Sequence, residues 1–346
     1  MKRKKGKDFS RLQASKSQNT KQNIFILIFK YIIIFLTILS LALLAINITL
    51  ENTIKNKEIS LIEHKKIALC TIAKQENKYI NEFVNYYHTL GVSKVFLYDN
   101  NDPDDEIYEN NLKKELSQNI VEIIDFRGKN MVQNIAYSDC YNKHSLEYDW
   151  IIITDADEFY FLQNGNFDSF LDENIFKDCD SITLNLVTMG DCNLTHYDSR
   201  PILERFNNAK EDRTTSIKSM YRGGRKNVRL SAHYSLNNKF SKICNPNGQK
   251  AILNDFISDN GSFKRGYIRH YMYKTAEELY NKLLREWPDK VKHSSSSIQL
   301  TNTRIKQFFE LNEITREKLD ILKPLLKSSE ISEELEKKLK EKNEKI

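Results

Sequence analysis

The sequence predicts an α/β protein in which a mostly parallel, Rossmann-like sheet carries helices on both faces, preceded by one N-terminal transmembrane helix. Three observations support this class: short apolar segments typical of buried strands, helical periodicity between those segments, and a long apolar run near the N-terminus. Strands that alternate with helices are typical of a doubly wound parallel sheet.

The apolar run covers residues 23–50 and contains one charged residue, Lys30. It exceeds the roughly 20 residues needed to cross a bilayer. We therefore predict a basic cytoplasmic tail (1–23), a transmembrane helix (24–48) and a polar stem (49–66). Positive charge before the span predicts a cytoplasmic N-terminus, which is type II topology.

The net charge of the chain does not indicate a nucleic-acid-binding protein. The total is +6, but the first 21 residues contain eight Lys or Arg and one acidic residue, so the remaining 325 residues sum to −1. Because the excess of basic residues is confined to the tail, we expect no nucleic acid partner.

Residues 67–300 are predicted to form the main domain. Its first half is predicted to contain, in order, strand 67–73, helix 77–90, strand 92–98, helix 105–117, strand 119–126, helix 130–146 and strand 149–154. The second half is less regular, with strands predicted at 181–187 and 267–271 and with loops and a few mixed strands over 189–262. Residues 301–346 are predicted to form charged C-terminal helices.

The strand before residue 155 is purely apolar and ends in Asp155, Ala156, Asp157 and Glu158. A strand buried on both faces does not tolerate charge, so these carboxylates must follow its C-terminal end, where open α/β sheets bind ligands. Crowded carboxylates stay ionised when a cation neutralises them, and hard divalent metals prefer oxygen ligands. The alternative interpretation is an acidic surface turn.

The five cysteines lack the spacing of a zinc site. Cys70 and Cys140 are predicted to be buried thiols. In an oxidising compartment, a disulfide between Cys179 and Cys192 is one possibility.

Asp99 follows the second predicted strand, in the segment Tyr98 to Asp102. A carboxylate here could hydrogen-bond a nucleoside, and a turn rich in Asn and Asp is the alternative interpretation.

Five blocks of sequence resemble, in order and spacing, glycosyltransferase family 92 and related family 2-like proteins. The blocks are IALCTIAKQENKYINEFVNYYHTLGVSKVFLYDNN, MVQNIAYSDCYNKHSLEYDWIIITDADEF, MGDCNLTHYDSRPILERF, KSMYRGG and IRHYMYKTAEELYNK. The resemblance implies a GT-A fold with a D-x-D motif that holds Mn²⁺ or Mg²⁺. It also implies transfer of a hexose, with galactose from UDP-galactose the common case, to a glycan or glycoconjugate acceptor with inversion.

The resemblance places the metal and diphosphate site at Asp155 and Asp157. It places contacts to the donor nucleotide at Asp99 and at Glu76, which lies in the first loop. His270 is a candidate third metal ligand.

Inversion requires one carboxylate that takes the proton of the acceptor hydroxyl. Asp191 is the predicted base and Glu158 is the rival, although the adjacency of Glu158 to the metal pair suits a supporting role better. Arg269 and Lys274 are candidates for phosphate contact. Lys218 and His233 belong to a basic segment that either covers the donor or is a solvated loop.

We therefore predict a metal-dependent glycosyltransferase whose partners are a UDP-sugar, a glycan acceptor and the lipid bilayer, facing the lumen of the Golgi or endoplasmic reticulum. Three alternatives stay open. The chain could be a non-catalytic, membrane-anchored glycan-binding protein, or a bacterial or viral surface-polysaccharide transferase that faces the cytoplasm. A phosphotransferase or nucleotidyltransferase is the third, and the lack of a P-loop disfavours it.

Overall fold

The computed structural model describes residues 25–51, 65–285 and 295–344. It divides into two compact units, 1–64 and 65–346. The predicted basic tail and most of the predicted stem lie outside the described residues.

The described part of the first unit is a single helix, α1 (Phe25–Glu51). Its 27 residues extend about 40 Å at about 1.5 Å per residue. Its large apolar side chains are exposed. By length and composition, this helix can cross a membrane, in agreement with the predicted span.

The described part of the second unit is built on a curled sheet. Its strands are β1 (Ile67–Ala73), β2 (Lys94–Asp99), β3 (Val121–Asp125), β4 (Trp150–Ile153), β5 (Glu158–Leu162), β6 (Ser181–Met189), β7 (Glu211–Arg222), β8 (Ile243–Cys244), β9 (Leu253–Asn254), β10 (Ile257–Ser258) and β11 (Gly266–His270).

Helices cover this sheet and form the C-terminal part of the unit. They are α2 (Ile80–Thr89), α3 (Lys113–Ser117), α4 (Gln133–His144), α5 (Phe167–Leu171), α6 (Ile202–Arg205), α7 (Ala276–Leu284), α8 (Ser295–Leu311), α9 (Arg316–Leu322) and α10 (Ser329–Asn343).

The main path through the sheet is β3-β2-β1-β4-β7-β6-β11-β5. The first four strands are parallel to one another. Strand β7 is antiparallel to both β4 and β6, and β11 is parallel to β6. It follows that β1, β2, β3, β4, β6 and β11 all end at the same edge of the sheet.

Alternating residues of the central strands build two hydrophobic cores. Leu69 of β1 packs with α2 on one face, whereas Ala68 and Cys70 pack with α4 on the opposite face. Strands buried on both faces are continuous apolar runs, as in β1 and β4. The structure therefore confirms the predicted α/β class with helices on both faces.

A third core joins the C-terminal helices. Leu279 of α7 packs with Phe308 of α8, Leu319 of α9 and Leu335 of α10. The charged C-terminal sequence therefore hides one apolar stripe on each helix, as amphipathic helices do.

One sequence-based prediction of local structure needs correction. The predicted helix 105–117 is a short 3₁₀ turn followed by α3. The prediction of loops and a few mixed strands over 189–262 agrees with β7 to β10, although no sequence pattern indicated that β7 extends over 12 residues. The first half of β7 is polar because it is exposed, so it lacks the apolar alternation by which strands are recognised.

The cysteine predictions are wrong. Cys70 and Cys140 form a disulfide that ties β1 to α4, and Cys179 pairs with Cys244 rather than Cys192, which is a free thiol. Strand β8 pairs with the start of β6, and this long-range contact brings Cys244 close to Cys179.

A buried ion pair joins α6 to α7. The Arg205 guanidinium forms two hydrogen bonds of 2.8 and 2.9 Å with the Glu278 carboxylate, and both side chains are at most 4% exposed. Glu278 also accepts a hydrogen bond from the Tyr79 hydroxyl and completes a capping box with Thr275. Loss of one partner from such a pair leaves an uncompensated buried charge.

We predict that Arg205→Met lowers the free energy of unfolding of the full chain in detergent by about 3 kcal/mol or more, measured by urea denaturation. Arg200→Met is the matched control, because Arg200 pairs with Asp198 on the exposed surface. Equal stabilities of the two variants would show that the buried pair contributes nothing.

Candidate functional site

A cleft of about 250 Å³, here called the central cleft, lies at the carboxyl ends of β1, β4 and β11. Glu76 after β1, Asp155 and Asp157 after β4, and His270 at the end of β11 line it. Strands β1 and β4 are neighbours. Helix α2, which follows β1, and helix α4, which precedes β4, pack on opposite faces of the sheet. The cleft therefore lies at a topological switch point, where open α/β sheets bind ligands.

Asp155 is held in a fixed orientation. One carboxylate oxygen accepts hydrogen bonds from the Tyr137 hydroxyl (2.5 Å) and the Gln133 amide (3.0 Å), and the other accepts from the Lys218 ammonium (2.7 Å). Burial opposes ionisation, but the charge of Lys218 outweighs it and lowers the pKa of Asp155. Asp155 is therefore a preorganised anion at the cleft wall.

Glu158 contacts the groups that hold Asp155 in place. Its side chain has no exposed surface and accepts hydrogen bonds of 3.0 Å from the Thr154 hydroxyl and the Asp155 backbone N–H. Its carboxylate also lies 3.3 Å from the Lys218 ammonium. Because the Thr154 hydroxyl, the Asp155 backbone N–H and Lys218 all contact this buried carboxylate, its surroundings suit the supporting role, and a catalytic role for Glu158 stays a prediction.

Asp157 faces two basic groups across the cleft. Its carboxylate accepts a hydrogen bond of 2.5 Å from the Lys282 ammonium and lies 3.5 Å from Nε2 of His270. Burial raises the pKa of Asp157, but Lys282, His270 and Lys274 hold it well below its usual range. The side chain is therefore an anion that contacts a cation from a distant helix.

The first loop contributes a second ion-paired carboxylate. Glu76 is buried and accepts a hydrogen bond of 2.5 Å from Arg285, which follows α7. Lys274 lies 4.0 Å from Glu76, and its ammonium stacks on the Tyr79 ring. Burial lowers the pKa of Lys274. These side chains also line a neighbouring cavity of about 510 Å³, the α7 cavity, which shares Glu76, Lys282 and Arg285 with the central cleft.

Two predicted donor contacts lie elsewhere. Asp99 is buried, and its carboxylate accepts hydrogen bonds from Arg127 (2.6 Å) and from the Asn101 backbone N–H (2.9 Å), as in an Asx turn. Arg269 stacks on Phe161 at 4.1 Å. Because neighbouring strand residues point to opposite faces, Arg269 turns away from the cleft that His270 lines.

Asp191 does not lie in the central cleft. Thr188 of β6 pairs with His270 at the cleft, and Asp191 is three residues further along the chain, roughly 10 Å at about 3.3 Å per residue. The Asp191 carboxylate is buried and accepts a hydrogen bond of 2.5 Å from Lys318 of α9. These contacts suit a structural anchor for α9, and the role of Asp191 as the base stays a prediction.

His233 lies at the far end of the central cleft. Its Nδ1 donates a hydrogen bond of 2.8 Å to the carbonyl of Ile217, so Nε2 is the acceptor nitrogen. Burial, followed by the charge of Lys218, lowers the pKa of His233 to about 4. The imidazole is therefore neutral at neutral pH.

Sequence reasoning missed four side chains that complete the site. Tyr137 and Gln133 of α4 orient Asp155, and Lys282 and Arg285 bind the carboxylates of Asp157 and Glu76. Lys282 and Arg285 are three residues apart at the end of α7, a spacing that puts side chains on one helical face. This spacing in the sequence could have indicated that Lys282 and Arg285 face the same site.

The donor atoms around the cleft fit a divalent cation in type. Asp157 supplies a carboxylate oxygen and His270 an imidazole nitrogen, and the two atoms face each other at 3.5 Å. Within the described residues, no three His, Cys, Asp or Glu side chains form a complete metal-binding group. Magnesium-type sites often use one or two protein ligands and complete the shell with water and substrate phosphates.

A model of glycosyltransferase family 92 matches residues 65–309, more than two thirds of the chain. The protein is therefore a glycosyltransferase. It belongs to glycosyltransferase family 92. No curated protein matches the sequence.

Similar solved structures are distant. Staphylococcus aureus TarS 1–349 in complex with UDP-GlcNAc is 11% identical, with a TM-score of 0.34, over 75% of this chain and 79% of that chain. The mannosyltransferase PcManGT from Pyrobaculum calidifontis, in complex with GDP-Man and Mn²⁺, is 11% identical with a TM-score of 0.28. That match covers 36% of each chain. Similarity at this level carries no information on substrate.

The low pKa of His233 predicts a pH dependence of stability. The folded chain binds fewer protons than the unfolded chain between about pH 6.5 and 4, so the free energy of unfolding falls as the pH is lowered through that range. The shift corresponds to at most about 3 kcal/mol. We predict that His233→Gln flattens the pH dependence by about 2 kcal/mol between pH 7.5 and 5 in urea denaturation, because each pH unit below about 6.5 corresponds to about 1.36 kcal/mol. Identical slopes for both chains would contradict the assignment.

Proposed function

We propose that the chain transfers a hexosyl group, with galactose the best assignment, from a UDP-sugar to a hydroxyl of a glycan or glycoconjugate with inversion at the anomeric carbon. The observation that carries this proposal is the juxtaposition of Asp157, His270, Lys282 and Arg285 at the switch point between β1 and β4. A diphosphate carries negative charge that cations must neutralise, and the basic side chains of Lys282 and Arg285 line this cleft. Galactose and UDP rest on the family resemblance of the five sequence blocks.

In this proposal, Asp157 and His270 hold Mn²⁺ or Mg²⁺, with Asp155 fixed beside them. When bound, the ion supplies Lewis-acid neutralisation of charge on the diphosphate. Lys282 then exchanges its contact with Asp157 for a contact with a phosphate oxygen, since both partners are anions. Arg285 stays paired with Glu76 and bound to the carbonyls of Lys74 and Gln75, which fixes the first loop beside the cleft.

The donor nucleoside is proposed to occupy the α7 cavity. That cavity borders the carboxyl end of β1, includes Gln75 and Glu106, and opens into the central cleft through Glu76, Lys282 and Arg285. Lys274 stands close to where the phosphates would pass, so its predicted role as a phosphate contact stays a proposal.

The first unit is proposed to anchor the enzyme. Helix α1 can span a bilayer by length and composition, and the basic tail before it predicts a cytoplasmic N-terminus. Residues 65–346 would then lie on the far side, in the Golgi or endoplasmic reticulum lumen. The disulfides Cys70–Cys140 and Cys179–Cys244 support an oxidising compartment.

We expect purified full-length chain in detergent to release UDP from UDP-galactose with Mn²⁺, faster than from UDP-glucose, UDP-N-acetylglucosamine or GDP-mannose. Asp157→Asn should lower this rate by about 100-fold or more, because the cation and the diphosphate lose their shared anchor. Asp178→Asn is the control, since Asp178 forms a surface pair with Lys242.

The donor proposal is contradicted if no sugar nucleotide is consumed, or if Asp157→Asn retains the wild-type rate. Binding of glycans without any consumption of donor would favour the non-catalytic alternative. The anomeric configuration of the transferred sugar, read by NMR of the product, tests inversion.

Membrane topology is tested by protease protection of sealed vesicles from cells that express the full chain. We expect residues 65–346 to be protected inside secretory vesicles until detergent is added. Digestion of that domain in intact vesicles would place it in the cytoplasm instead.

A further inference from the structure

A third cavity, of about 720 Å³, lies beside the central cleft. Side chains of β6, β7 and α8 line it, and we call it the β7 cavity. It shares His233, His270, Met272 and Arg304 with the central cleft. A ligand in the β7 cavity would therefore lie next to the proposed reacting centre at His270.

The lining of the β7 cavity suits a sugar. Thr188, Thr214, Ser216 and Gln307 offer hydroxyl and amide groups, which match the hydroxyl groups of a pyranose. Phe256 lies at the same cavity and is 46% exposed, so its ring is open to contact. Aromatic rings beside a few polar groups are a common lining of ligand sites.

The pairing of the strands places Asp212, which lines this cavity, level with His270 in the sheet. His270 of β11 pairs with Thr188 of β6, and Thr188 pairs with Asp212 of β7. Paired residues of neighbouring strands share a face of the sheet, and all three line the β7 cavity. Two strand spacings of about 4.8 Å put Asp212 about 10 Å from His270.

That separation leaves room for the reacting groups. A diphosphate beside His270, the donor carbon and an acceptor hydroxyl fit between the two residues, because reacting atoms lie about 3–3.5 Å apart and a base lies about 3 Å from its proton donor.

Asp212 differs from the other carboxylates near the cleft. Its side chain is exposed and has no ion-pair or hydrogen-bond partner among the described residues. Its neighbour Glu211 also lines the β7 cavity, but it lies 3.7 Å from Arg269. Asp155, Asp157, Glu158 and Asp191 are all bound to lysines or hydrogen-bond donors. Asp212 is therefore available to accept a proton.

We infer that the β7 cavity is the subsite for the acceptor sugar and that Asp212 is the general base of the transfer. This inference rests on the proposed function. The acceptor O–H proton passes to the Asp212 carboxylate while the acceptor oxygen forms a bond to the anomeric carbon. The bond from that carbon to the diphosphate oxygen breaks, and its electron pair leaves with UDP.

The test compares full-length wild type with Asp212→Asn, Asp212→Glu, Glu211→Gln and Glu310→Gln in detergent, and Asp178→Asn is the surface control. Transfer from UDP-galactose to a panel of p-nitrophenyl glycosides gives kcat and KM, and calorimetry gives the Kd of UDP with Mn²⁺. We expect Asp212→Asn to lower kcat by about 100- to 10,000-fold, with the Kd of UDP within about threefold of wild type. Asp212→Glu should recover part of the rate, and Asp178→Asn should stay within about threefold of wild type.

A pH profile separates a base from a structural residue. The kcat/KM of the wild type should fall on the acidic side as the base is protonated, and the residual rate of Asp212→Asn should lack that acidic limb.

Three results overturn the inference: an Asp212→Asn variant that keeps more than a third of kcat, an Asp212→Asn variant that loses UDP binding as severely as transfer, or a larger loss of kcat from Glu211→Gln or Glu310→Gln, the other two exposed carboxylates that line this cavity. A wild-type chain that neither binds UDP nor consumes any sugar nucleotide contradicts the proposed function itself, and the assignment of Asp212 falls with it.

Discussion

Neutralisation of buried negative charge is the constraint on which the rest of this structure depends. Asp155, Asp157 and Glu158 lie within four residues at the end of a strand that is buried on both faces. Moving such carboxylates out of water costs several kcal/mol each unless cations and hydrogen-bond donors compensate. The fold supplies that compensation from β7 through Lys218 and from α7 through Lys282.

The two lysines have different surroundings, and this difference gives the site its proposed chemistry. Lys218 has no exposed surface and is shared between Asp155 and Glu158, so it is a permanent counter-ion. Lys282 is 15% exposed and lies at the cleft, where a phosphate can compete for it. One cation therefore stabilises the fold, and the other is available to a ligand.

Much of this architecture could be predicted from sequence because its signals are local. The apolar runs of β1 and β4 and the periodicity of α2 and α4 predict the sheet and its two layers, and the acidic cluster must follow β4. His270 could be placed near Asp157 only through the order of the sequence blocks. Pairings between distant segments, such as Cys179 with Cys244 or Asp157 with Lys282, leave no local pattern and could not be predicted.

The position of Asp191 has the same physical origin, and its role as the base stays a prediction. An aspartate that follows a buried strand at the ligand-binding edge is a reasonable candidate for a base, but strand length decides how far it extends. Strand β6 has nine residues and carries Asp191 beyond the cleft to Lys318, whereas the polar start of β7 brings Asp212 back beside it. A polar, exposed strand end gives no apolar signal in the sequence.

A crystal of the full chain grown with UDP and Mn²⁺ tests the central claim most directly. Anomalous scattering locates manganese independently of the protein model. We predict one manganese peak within about 2.5 Å of both Asp157 and His270, with Lys282 moved from Asp157 to a phosphate oxygen. UDP bound without manganese at those two side chains, and with Lys282 still on Asp157, would contradict the proposed site.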